Sequence, residues 1–260
     1  NKHIKEVAIT MFEKVDVGTR GAFYDTVGAL RDVGQNHLLQ ILALIAMDEP
    51  QSLSSQHIRQ KRSDILKKLV QIEKQDIENS VIRAQYEGYL QSAGVLESST
   101  TETYFEFRAF IDTEIWNGVP FIVRSGKALT EEKVCVEIFF HDVATGPFET
   151  SASKTVGNTI LLTISPQQSM HVTLNVKQGG HGYHIESNTL KYEQDTSTTQ
   201  TINAYEKVLL DCILGDQTLF TTTDEVLASW KFIHSITENW QDIKLQTYTK
   251  GSAGPSEILS

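Results

Sequence analysis

From Tyr104 onward the chain carries five short runs rich in β-branched and aromatic residues: Tyr104 to Ile111, Pro120 to Ser125, Val134 to Phe140, Thr159 to Ser165 and Met170 to Val176. Runs of this kind read as strands. The segments between them are mostly too short for a crossover helix, which favours an antiparallel sheet over a parallel one. Helical patterning lies on either side. Val7 to Met11 is a short strand, Phe23 to Met47 reads as one long helix, and Ser54 to Val70 reads as a second. Gln85 to Thr103, rich in Gly, Ser and Thr, reads as loop, while Tyr205 to Leu214 and Asp224 to Trp240 return to helical spacing. Helices, then strands, then helices predict an α+β fold: a large, mostly antiparallel sheet with helices packed on one face. If Tyr104, Phe139 and Thr163 do not all point to the helices, the other face is available for pairing with a second subunit.

The second half of the long helix is apolar almost all round, from Leu38 and Leu39 to Ile45 and Met47, and should be buried. Asp48-Glu49-Pro50 ends it, since proline disfavours a helical residue before it. At 260 residues and 40% hydrophobic content the chain can bury a sizeable core. No window approaches 18 consecutive apolar residues, and NKHIKEVAIT lacks the apolar run of a signal peptide, so a soluble, cytoplasmic protein without a membrane partner is expected. Cys135 and Cys212 stand far apart without ligand spacing, which indicates neither a disulfide framework nor a metal site. A formal charge of −10 argues against a nucleic-acid partner. The one basic cluster, Arg59 to Lys68, alternates with apolar residues as the solvated side of an amphipathic helix would.

Three stretches bear on chemistry. No GxGxxG follows a strand and no GxxxxGK[ST] occurs; the glycines of Gln178-Gly179-Gly180-His181-Gly182 open no evident helix. Inside the long helix, Arg31-Asp32-Val33-Gly34-Gln35-Asn36-His37 puts five hydrogen-bonding side chains in seven positions, which are expensive to bury without partners and so should face a cleft. On an α-helix Asp32 and His37 lie roughly 140° apart, as two walls of one pocket rather than one face. Histidine suits proton abstraction from a hydroxyl near neutral pH, although a lone helical histidine is more often structural. Finally, a strand runs through Arg124 into Gly126 and Lys127. A lysine there can be a flexible cationic donor to a ligand oxygen or an ordinary charged strand end.

Several segments, in order, resemble the glucose-6-phosphate dehydrogenase family: Gly18-Thr19-Arg20-Gly21 through Tyr24-Asp25, Arg31 to Gln40, Arg83-Ala84-Gln85-Tyr86 with Thr101-Glu102-Thr103, Trp116 to Leu129, and Ala204-Tyr205-Glu206. The resemblance covers almost the whole chain. It implies a single unit, 1–260, that is the family's C-terminal substrate-binding and dimerisation domain. The family oxidises glucose 6-phosphate at C1 to the lactone with NADP, or in some members NAD, in the pentose phosphate pathway. By the same match His37 is the general base, Glu13 and Asp32 hydrogen-bond sugar hydroxyls, and Lys127 is a cationic donor to substrate. The expected partners are glucose 6-phosphate and a second copy of the chain through the sheet.

The family's glycine-rich coenzyme loop and His-Tyr-Leu-Gly-Lys segment have no counterpart here, so NADP would be bound mainly by a coenzyme-binding part outside this chain, and the chain alone is expected to be inactive. A competing reading is a stand-alone sugar-phosphate-binding or scaffold protein. Within the matched region Glu132, beside Lys133, stands where many members carry a basic residue, and Ser165 stands where many carry a glutamine. Animal-type members also hold a structural NADP. Of its positions Arg124 and Lys133 survive, while Glu137, Thr163, His171, Thr173 and Asn203 replace the others, which leaves too little positive charge for a dinucleotide phosphate.

Overall fold

The computed structural model describes residues 2–141, 157–177, 185–194 and 204–259. The strands are β1 (Ile4–Phe12), β2 (Val81–Tyr86), β3 (Tyr104–Ala109), β4 (Phe121–Gly126), β5 (Lys133–Phe140), β6 (Thr159–Ser165), β7 (Ser169–Lys177), β8 (Ile185–Glu193) and β9 (Leu245–Tyr248). They form one sheet in the order β8-β7-β6-β5-β1-β4-β3-β2-β9. The five expected strands of the middle segment are all present. Two neighbouring pairs, β1 with β4 and β2 with β9, are parallel; the other pairs are antiparallel. The sheet is therefore mixed, although mostly antiparallel. The parallel pairs arise because long helical excursions separate their strands, giving the chain the length a parallel return needs.

The central strands bury both faces. Val7, Ile9, Phe105, Phe107, Phe121 and Val123 on one face, and Ala8, Ile122 and Tyr104 on the other, are all buried, which explains the near-continuous apolar sequences. Helices lie against this centre. They are α1 (Gly21–Ala29), a π-helix (Leu30–Leu38), α2 (Leu39–Ala46), α3 (Ser55–Leu66), the single turn α4 (Ile77–Ser80), α5 (Ala204–Leu214) and α6 (Thr223–Thr237). The π-helix packs on β1 and β4, and α2, α3 and α6 build outward from it. Leu39, Leu42, Ala43 and Ala46 of α2 are buried, as its apolar sequence demands, and the Trp116 indole donates to the Ala46 carbonyl at 2.8 Å, closing the helix end.

The expected single helix from Phe23 to Met47 is not continuous. Gly28 sits at φ 75°, ψ 168°, breaking the chain before it resumes as the π-helix. The basic cluster on α3 also departs from its reading as a solvated face. Arg62 is 2% exposed and bonded to Glu225, itself inaccessible, at 2.8 Å. Its other nitrogens donate to the carbonyls of Thr218 (3.0 Å) and Phe220 (3.0 Å). Glu225 in turn completes a capping box with Thr222 at the start of α6. A guanidinium with this many donors can satisfy a buried carboxylate and two carbonyls together, which a lysine could not do in one plane.

Three strands had not been expected. β2 ends inside the stretch read as loop, and β8 and β9 carry polar, weakly alternating sequences. The helix expected to reach Trp240 stops at Thr237, followed by a short 3-10 turn. Tyr104 is buried in the core, whereas Phe139 and Thr163 are only half-buried. Register places Leu162, Met170 and Tyr192 side by side, and Ile160, Val172 and Leu190 beside them, on the same sheet face as buried Val136. Away from the helices this face is open, with Leu190 66% and Tyr192 62% exposed. The Gln178 to Gly182 segment and Asn203 lie outside the described residues. Among the described residues no helix is long and apolar enough to cross a membrane.

Removing one partner of the Arg62–Glu225 pair strands a buried charge. Arg62→Met is expected to lower stability by about 3–5 kcal/mol, and adding Glu225→Gln should recover part of the loss. Urea unfolding midpoints of the single and double variants check this; an Arg62→Met midpoint equal to that of the parent would show that the pair contributes nothing.

Candidate functional site

The end of the parallel pair β1–β4 is where the chemistry gathers. Phe12 and Gly126 are register partners, so the residues that follow them, Glu13 and Lys127, emerge side by side at the carboxyl ends of adjacent strands. Backbone bonds continue the pairing beyond the strands: Glu13 N–H donates to Gly126 (2.9 Å), Leu129 N–H to Glu13 (3.0 Å) and Ala128 N–H to Val15 (2.9 Å). The Lys127 ammonium donates to the Glu13 carboxylate. The lysine is not a solvated strand end, since only 8% of it is exposed, and its ammonium lies 5.5 Å above the ring of Tyr24.

Tyr24 links this pair to the helical side. Its hydroxyl is buried without a hydrogen-bond partner among the described residues. Burial pushes the phenol far above its usual value, and the nearby charges of Glu102, Asp32 and Glu13 add to that. Asp32 is half-buried on the π-helix and His37 is exposed on it. A π-helix closes its hydrogen bonds between residues five apart, so such residues neighbour each other along it as residues four apart do on an α-helix. Asp32 and His37 therefore share a side, not two walls roughly 140° apart. The imidazole of His37 makes no hydrogen bond or ion pair within the chain among the described residues. The structure thus joins Glu13 and Lys127 directly, brings Asp32 within electrostatic reach of Tyr24, and leaves His37 open on the Asp32 side of the helix.

What holds the π-helix here lies in Thr101-Glu102-Thr103, a segment the sequence singled out without assigning it a role. At Gly28 an added Cβ would come within 2.5 Å of the Glu102 carboxylate, so glycine is required both for its positive φ and for this approach. The carboxylate accepts the Leu30 N–H at 2.9 Å, and the Glu102 carbonyl accepts the Ala29 N–H at 3.2 Å. Gly34 lets the helix lie close on β3, since a Cβ there would meet the Phe105 ring at 2.8 Å. The next residue ties the other wall: Thr103 accepts the Lys127 N–H at 3.0 Å. The Tyr248 hydroxyl, from the unexpected strand β9, donates to the Lys127 carbonyl at 2.7 Å and lies 3.2 Å from the Thr103 carbonyl.

The positions that the family resemblance gives to a structural dinucleotide include Arg124 and Lys133. Arg124 donates to the Thr10 hydroxyl at 3.0 Å and lies 4.0 Å from the Glu137 carboxylate, and Lys133 pairs with Glu131 at 2.7 Å. Both cations are already matched by carboxylates of this chain, so these residues do not fit a dinucleotide phosphate.

Burial pushes the Glu102 carboxyl from its ordinary 4.5 up to about 7, against the Leu30 N–H, its own backbone, Arg83 and Arg31, which favour the charged form. The folded carboxyl thus holds its proton more tightly than the unfolded one. Its contribution to stability is fully present below about pH 4.5 and is lost as pH rises through about 7, amounting to about 3 kcal/mol by the proton-binding relation. Glu102→Gln mimics the protonated acid and should match the parent at pH 5 yet be the more stable of the two at pH 8. Urea unfolding at both values checks this, and parallel pH profiles would refute it.

Comparison with known proteins matches residues 1–260 to the family model described as glucose-6-phosphate dehydrogenase, C-terminal domain. The chain is similar to glucose-6-phosphate 1-dehydrogenase of Borreliella burgdorferi, 35% identical over 100% of this chain and 56% of that protein. It is also similar to that of Gluconobacter oxydans, 36% identical over 98% of this chain and 54% of the relative. Among solved structures, the Mycobacterium avium glucose-6-phosphate 1-dehydrogenase superposes with a TM-score of 0.85 at 33% identity, over 97% of this chain and 53% of that one. A glucose-6-phosphate dehydrogenase in complex with its substrate glucose-6-phosphate gives 0.85 at 29% identity, over 98% and 54%. The chain spans about half the length of the curated relatives it matches.

Proposed function

Since the chain belongs to the glucose-6-phosphate dehydrogenase family through its C-terminal domain, we propose that it is the substrate-binding and dimerising part of an enzyme that oxidises the C1 hydroxyl of glucose 6-phosphate to the lactone. The reading rests above all on the buried Lys127–Glu13 pair at the carboxyl ends of β1 and β4, beneath the π-helix that carries Asp32 and His37. A lysine held by one carboxylate can exchange part of that contact for a sugar-phosphate oxygen, while Glu13 and Asp32 accept from sugar hydroxyls. The exposed imidazole of His37 takes the C1 hydroxyl proton as the carbonyl forms. A bound NADP would supply the acceptor for the hydride leaving C1. The coenzyme is held by a coenzyme-binding domain, the residues here serving substrate and proton. The two cysteines of the chain are free, in keeping with a cytoplasmic setting.

His37→Asn, assayed with the coenzyme-binding domain in place, is expected to reduce kcat by about 10²–10⁴-fold with little change in KM for glucose 6-phosphate. Unchanged turnover would remove His37 from the mechanism.

The open face of β6, β7 and β8 is proposed to pair two copies of the chain. Met170, Leu190 and Tyr192 form an exposed apolar patch continuous with the core side of the sheet. A charge in its middle, Leu190→Glu, should convert a dimer to a monomer in sedimentation velocity. A dimer that persists in this variant would place the interface elsewhere.

A further inference from the structure

Two groups on different walls of the proposed site meet at one dipeptide. Glu102 accepts the Leu30 N–H through its carboxylate, and Thr103 accepts the Lys127 N–H through its carbonyl. Leu30 is the first residue of the π-helix, two before Asp32 and seven before His37. A helix that restarts after a break has unpaired N–H groups, and the group that captures the first of them fixes where the helical register begins. The capture is tight here. Gly28 has no room for a Cβ against the same carboxylate, and Glu102 is 4% exposed, so water has little access to replace it. The π form makes that starting point matter more, because a slip of one residue would turn Asp32 and His37 away from the end of β4 together.

We propose that Glu102 is a positioning residue for the proton-abstracting side of the site: by accepting the Leu30 N–H it sets the rotational placement of Asp32 and His37 relative to Lys127, which hangs on the neighbouring Thr103. The inference rests on the reading of this chain as the substrate-binding part of a dehydrogenase. Glu102 touches neither substrate nor reacting atoms in this scheme. Its effect passes through the hydrogen bond and depends on the reach of the acceptor, not on its charge.

Two conservative variants separate these properties. Glu102→Gln keeps an acceptor at the same reach without the charge, and Glu102→Asp keeps the charge but withdraws the acceptor by one methylene. With the coenzyme-binding domain in place and at a temperature below both melting transitions, Glu102→Gln is expected to keep kcat within about threefold of the parent, while Glu102→Asp loses about tenfold or more. An Asp variant as active as the Gln variant, or more so, would overturn the proposal. His37→Asn run in parallel tells the two failures apart. If it abolishes turnover while the Glu102 variants are equal, only the positioning role is lost; if it leaves turnover intact, the dehydrogenase reading of the site falls first.

Discussion

Where α1 breaks at Gly28, the N–H groups that begin the next helical stretch have to be met inside the protein, away from water. Glu102 meets one with its carboxylate and another with its carbonyl. That places a nearly inaccessible acid, an expensive group to bury, at the seam between sheet and helices. The arrangement is sustained because Glu102 leads directly into β3, whose Phe105 and Phe107 are fully buried and stacked at 5.8 Å. The strand cannot shift without carrying the carboxylate away, and the carboxylate cannot leave without releasing the helix. Asp32, His37 and, through Thr103, Lys127 all inherit their places from this junction.

The mixed sheet supplies the second condition. A wholly antiparallel arrangement would have put the ends of β1 and β4 on opposite edges; the parallel pairing brings Glu13 and Lys127 out together. Open sheets commonly place ligands beyond the carboxyl ends of parallel strands for this reason. Ala128, just past Lys127, takes a left-handed conformation at φ 53° that is uncommon for a residue with a side chain. It is held there by bonds to Val15 and Gly251, so the turn that aims Lys127 is fixed from both sides.

Much of this was legible in the residues. The strands from β3 to β7 are rich in β-branched and aromatic residues, and burial on one or both faces selects those types, so pattern and structure agreed. The polar Arg31 to His37 insert marked side chains that mostly stay out of the core: Arg31, Asn36 and His37 are exposed and Asp32 is half-buried, whereas Gln35 is buried. The π-helix was not legible: its propensities are those of any helix, and the carboxylate that accepts the N–H of its first residue lies 72 residues away. Arg62 looked solvated because its carboxylate partner lies 163 residues away. β2, β8 and β9 were missed because β2 runs into a Gly/Ser-rich region and the other two alternate weakly. Their pairing is decided by neighbours that local pattern does not contain.

The distances along the chain have a meaning in time. Glu13 and Lys127 are 114 residues apart, and β1, at the N-terminal end of the described chain, sits in the middle of the sheet. A long loop must close before either residue has its partner, and the entropy of closure is spent before the contact returns anything. Local hairpins such as β6 with β7 can form early on their own. The Lys127–Glu13 contact closes a loop that contains β2, β3 and β4, so it reports at a single point that the two parallel strands at the centre of the sheet have met.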